Sequence, residues 1–121
     1  MTIGRIDSFK DLLVWQKSVE LVSDIYRITQ KFPTEERFGL VSQLRRAAVS
    51  ISANIAEGNG RGTRADYAHL LDIAFGSVSE VSTLLTITRN LSYCTAPECS
   101  TLEERLGEIG RMLHVMRRKL R

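Results

Sequence analysis

The chain is poor in the residues that carry most enzyme chemistry. Among 121 residues there are two histidines, two cysteines, two prolines and one tryptophan. His69 and His114 are far apart in sequence, and neither sits in a recognisable nucleophile or metal motif. Asp66, His69 and Asp72 share a helix, but no second helix offers matching Glu-x-x-His ligands, so surface ion pairing is the expectation for them. Cys94 and Cys99 have no second Cys or His pair at zinc-site spacing, which leaves two reduced thiols. No Gly-Lys-Ser or Gly-Lys-Thr follows a strand, which argues against a nucleotide-hydrolysing loop. No apolar run approaches the ~18 residues of a membrane span. Met1 to Lys10 lacks the basic segment, apolar stretch and cleavage site of a signal peptide. These absences lead us to expect a cytoplasmic protein without membrane association, metal, cofactor or enzymatic activity.

Helical periodicity is what the chain has in quantity. A hydrophobic share of 43%, a charged share of 26% and a net charge of +3 describe one ordinary globular domain over residues 1–121. Ser8 can cap a first helix running to about Lys31, ahead of Pro33. A second follows Thr34 and stops at Glu57, where glycines begin. Thr63-Arg64-Ala65-Asp66 resembles a capping box and opens a third helix reaching about Leu91. After a turn from Ser92 to Pro97, Leu102, Leu106, Ile109, Leu113, Met116 and Leu120 alternate in steps of four and three along a fourth. The fold class is therefore all-α, an antiparallel up-down-up-down four-helix bundle.

Two of these helices have more apolar surface than one core requires. The second presents a broad stripe centred on Leu44, with Ser42, Val49, Ala53 and Ala56 on its far side, where small residues admit another backbone. The first carries two stripes: Leu12, Trp15, Val19, Val22 and Tyr26 on one side, and Val14, Leu21, Ile25 and Ile28 on the other. Surplus apolar faces mark interfaces. We assign Val14, Leu21, Ile25, Ile28, Ser42, Val49, Ala53 and Ala56 to self-association. Asn54, at the edge of the core stripe, is expected to fix helix register. Gly76 is expected to serve close helix packing, with Glu80 partly buried beside it.

Cations gather in two places. Arg61 and Arg64 lie in the connector Gly58-Asn59-Gly60-Arg61-Gly62-Thr63-Arg64 before the third helix, where free N–H groups could hold a phosphate and the glycines could equally serve only as cap and turn. Arg111, His114, Arg118 and Arg121 share one side of the fourth helix, with Arg117 at the margin. That face could follow a phosphate backbone, or it could simply complement the helix dipole.

The segments Leu13-Val14-Trp15-Gln16-Lys17, Phe32-Pro33-x-x-Glu36, the run from Gln43 to Gly58 and Ile73-Ala74-Phe75-Gly76-Ser77-x-x-Glu80 together resemble the four-helix-bundle proteins of the 23S rRNA intervening-sequence family. The likeness spans residues 9 to about 93, with Ser52 standing where many members have proline. A related branch comprises the accessory variability determinants of diversity-generating retroelements, pentameric barrels that bind nucleic acid and a reverse transcriptase. The resemblance implies a ring-shaped homo-oligomer, a pentamer, with RNA or DNA and a reverse transcriptase or other protein as partners. The competing reading is a protein-interaction scaffold with little nucleic-acid affinity of its own.

Overall fold

Residues 8–121 are described by a computed structural model; residues 1–7, the front of the expected 1–121 domain and of the leader reading, lie outside the described residues. Four helices, α1 (Leu13–Thr29), α2 (Leu40–Asn59), α3 (Arg64–Asn90) and α4 (Ala96–Leu120), form a bundle, with no strand among the described residues. α1 packs on α2, α2 on α3, α3 on α4, and α4 closes back on α1. The pairs Lys31 with Glu98, Asp24 with Arg105, and Lys17 with Glu108 descend α1 as they climb α4, so these two helices run in opposite directions.

Two helix starts differ from the periodicity reading. Ser8 caps only a 3₁₀ turn at Phe9–Asp11, after which Leu12 is extended and α1 begins at Leu13. Thr34 opens another 3₁₀ turn, and α2 starts five residues beyond Thr34's neighbour Glu35, at Leu40 after Gly39. Thr63 caps α3 by accepting from the Asp66 N–H at 3.1 Å. α4 has a capping box that the sequence reading missed, Thr95 with Glu98.

That cap also brings the cysteines together. Cys94 closes the turn and Cys99 lies in the first turn of α4, almost fully buried, and the two form a disulfide. The expectation of two free thiols is corrected: the cap supplied the proximity that spacing alone did not reveal.

The core corrects the reading of α1. Val14, Leu21, Ile25 and Ile28 are buried inside the protomer, Leu21 and Ile25 with no exposed surface, and cannot be the self-association face. Ser18 and Thr29 lie on the same inward flank and direct their hydroxyls to the carbonyls of Val14 and Ile25, each at 2.7 Å. Bonded within their own helix, they are buried at little desolvation penalty. The opposite stripe stays open, with Val19 and Tyr26 exposed and Leu12, Trp15 and Val22 half-buried.

The bond that joins α2 to α3 beside Asn54 comes from Ser50 and Ser77, not from Asn54, whose amide bonds only within α2. The Asn54 amide donates to Ser50 Oγ at 3.0 Å within its own helix, and Ser77 Oγ of α3 donates to the same oxygen at 2.9 Å. Gly76 does not serve packing within the protomer, because a Cβ there would meet nothing within 4 Å, and Glu80 is exposed rather than partly buried. α3 contains an 18-residue window of mean hydropathy 1.4, long and apolar enough by length and composition to cross a membrane. No unbroken apolar run announces it, since Gly76, Ser77 and Ser79 interrupt the helix. Its inward residues, Leu71, Ala74, Val81 and Leu85 among them, belong to the bundle core.

Candidate nucleic-acid and self-association surfaces

The start of α3 and the end of α4 meet through Arg64, whose guanidinium donates to the carbonyl of Lys119 at 2.6 Å. This bond satisfies a terminal helix carbonyl that has no intrahelical partner. It sets Arg64 at the same end of the bundle as the last turn of α4, which carries Arg118, Lys119 and Arg121.

The six candidate arginines do not share one fate. Arg61 is paired with Glu57 at 2.6 Å, a contact that raises its pKa above the ordinary value. Arg117 bonds Asp72, lies with its guanidinium 4.5 Å from the centre of the Phe75 ring, and has only 18% of its side chain exposed. Arg121 clamps both oxygens of the same carboxylate at 2.7 Å. Burial pushes the Asp72 carboxyl up, but the bonds and charges of Arg117 and Arg121 outweigh it and hold the group below its usual range. Arg117 is therefore a packing residue, and Arg61 and Arg121 are partly neutralised. Arg111 and Arg118 are exposed and have no ion pair or hydrogen bond among the described residues. Asp72 is readable in the sequence as an ion-pairing residue of α3, but its distance of 45 residues from Arg117 hides which cation it holds.

Arg111 stands apart from the cluster at the bundle end. It borders an apolar cleft of about 430 Å³ between α1 and α4, with Leu12, Leu13, Met112, Val115 and Met116. A second cleft, over α4 toward α3, is floored by Gly107 and Gly110.

On α2 the expected face is accessible: Val49 and Ala53 are exposed, and Ser42 and Ala56 half-buried. The open stripe of α1 adjoins it, since Arg45 of α2 donates to Thr29 at 2.9 Å and lies 4.3 Å from the centre of the Tyr26 ring. Two outward surfaces thus flank the α1–α2 contact, large side chains on α1 and small ones on α2. Both histidines are exposed, and no group of three or more His, Cys, Asp or Glu among the described residues could hold a metal ion.

A model of the 23S rRNA-intervening sequence protein family matches residues 10–115. A crystal structure of a protein of unknown function from the S23 ribosomal protein family of Bacteroides thetaiotaomicron is similar, with a TM-score of 0.80 and 27% identity, covering 86% of this chain and 97% of that one. No curated protein matches the chain.

Proposed function

The chain belongs to the 23S rRNA-intervening sequence protein family, and from that membership we propose a non-enzymatic, cytoplasmic, homo-oligomeric bundle that binds the phosphate backbone of RNA or DNA. The observation that supports the nucleic-acid reading is the Arg64 bond to the Lys119 carbonyl, which sets Arg64 at the α4 end that carries Arg118, Lys119 and Arg121, of which Arg121 alone is paired with Asp72. Backbone phosphates suit cations that come from two helix ends in this way, since phosphate contacts require charge and no base-reading pattern. Self-association is supported by the open stripe of α1 and the small-residue face of α2, and a ring of five is the count that the family resemblance implies. In the cytoplasm the Cys94–Cys99 bridge would work against the reducing poise of the compartment.

Fluorescence anisotropy with a labelled RNA and a labelled DNA of mixed sequence tests the binding. Affinity should fall steeply between 50 and 200 mM salt, as phosphate contacts dictate. Arg64→Ala and Arg118→Ala should each lower the salt slope by about one. A salt slope unchanged in both variants would refute the assignment. The apolar cleft beside Arg111 favours a second reading, a scaffold for a protein such as a reverse transcriptase. Pull-down of one protein after nuclease treatment, with no intrinsic binding to either oligonucleotide, would select it.

A further inference from the structure

The outer ridge of α4 carries a pattern that the protomer does not use. Glu104, Gly107 and Arg111 follow one another at steps of three and four, so they share one face of the helix. Glu104 and Arg111 are exposed, and neither has an ion pair or hydrogen bond among the described residues. Gly107 between them is a poor helix former without an internal reason for its presence. A Cβ built there would meet only the flexible guanidinium of Arg111, at 3.3 Å.

The three residues are nearly symmetric about Gly107, with opposite charges on its two sides. A second copy of α4 laid antiparallel across the first, its Gly107 at the crossing, therefore sets Glu104 of each chain against Arg111 of the other. Seven residues of helix separate the two ion pairs by about 10 Å. The flexible Arg111 guanidinium, which lies over Gly107 in the protomer, swings to the partner's Glu104, and the absence of a side chain on Gly107 itself then lets the two backbones approach closely. No like charges face each other in this register, because Arg118 then lies opposite Ala96 and Pro97 of the partner helix, next to the acidic Glu98.

We propose that α4 forms a two-fold contact between copies of this chain, crossing at Gly107 and fixed by reciprocal Glu104–Arg111 ion pairs. It rests on the homo-oligomeric reading above and adds a surface distinct from α1 and α2. Such a contact is isologous and closes at two copies, so it doubles any ring built through the other faces.

Light scattering behind size exclusion, on the full chain at micromolar concentration and low salt, tests the proposal. Glu104→Arg and Arg111→Glu should each halve the wild-type mass, and an equimolar mixture of the two variants should restore it, since every cross-pair is then opposite in charge. Gly107→Leu should also halve the mass while keeping at least wild-type helicity by circular dichroism, which separates lost docking from lost folding. An assembled wild type whose mass ignores both charge reversals overturns the α4 contact alone. A wild type of 13.6 kDa, the mass of one chain, removes the homo-oligomeric reading beneath it as well.

Discussion

The inward and outward flanks of α1 are chemically alike, and the bundle treats them as opposites. Val14, Leu21, Ile25 and Ile28 are sealed in the core, whereas Val19 and Tyr26 stay open to solvent. α4 repeats the contrast in charge: Arg117 is held by Asp72 and Phe75, while its neighbour Arg118 has no partner among the described residues. In both helices the same residue types serve the protomer on one side and are left over on the other. The remainder, not the total, is what a partner can use. Counting apolar or basic residues along the chain therefore overstates the available surface.

The largest effect that sharpens this comparison lies on α1. Leu21→Ala should cost about 2–5 kcal/mol in urea denaturation, as cavity formation in a packed core does. Val19→Ala should change protomer stability by less than about 1 kcal/mol. Equal losses would erase the distinction between the flanks.

On α4, Arg117→Ala should cost about 1–3 kcal/mol, because it leaves the Asp72 carboxylate without one of its two charged donors. Arg118→Ala should stay within about 0.5 kcal/mol of wild type in the same assay.

Much of the architecture could be read from the chain, because three-four spacing specifies four helices without help from distant residues. The choice between the α1 stripes could not. Trp15 and Tyr26 make the outward stripe look like the core, yet such rings commonly keep a polar tip near water. Ser18 and Thr29 make the inward stripe look polar, yet their hydroxyls are bonded back to their own helix. Only packing on α2 and α4 decides between them. At the candidate nucleic-acid site, helix-start chemistry singles out Arg61 and Arg64 in the sequence, whereas the pairing of Arg117 and Arg121 requires knowing that α3 brings Asp72 alongside. The disulfide was hidden for a related reason, since it depends on the Thr95 capping box at the start of α4.

Gly76 offers a smaller test. With nothing within 4 Å of an added Cβ, Gly76→Ala should raise the stability of the protomer by up to about 1 kcal/mol. Destabilisation would mean that the outward face of α3 is less free than it looks.

The smallest effect concerns an exposed ion pair. The Lys31 ammonium bonded to Glu98, with the Thr95 N–H, holds the Glu98 carboxyl down at about 2, against an ordinary 4.5. A depressed carboxylate contributes stability above its unfolded pKa, and that contribution is lost as pH falls from about 4.5 toward 2. Glu98→Gln should therefore lower the Tm slightly at pH 7 and flatten its decline over that acid range. An unchanged acid limb would show that Lys31 and the Thr95 cap do not hold this carboxylate in solution.

We propose that the outward flank of α1, which the protomer leaves open, is covered by another copy of the chain. Light scattering on the wild type and on a Val19→Glu, Tyr26→Glu double variant tests it directly. The wild type should have a mass that is a multiple of 13.6 kDa, and the variant should form a smaller assembly with helicity retained. A wild type at 13.6 kDa, or a variant that assembles like the wild type, would contradict the proposal.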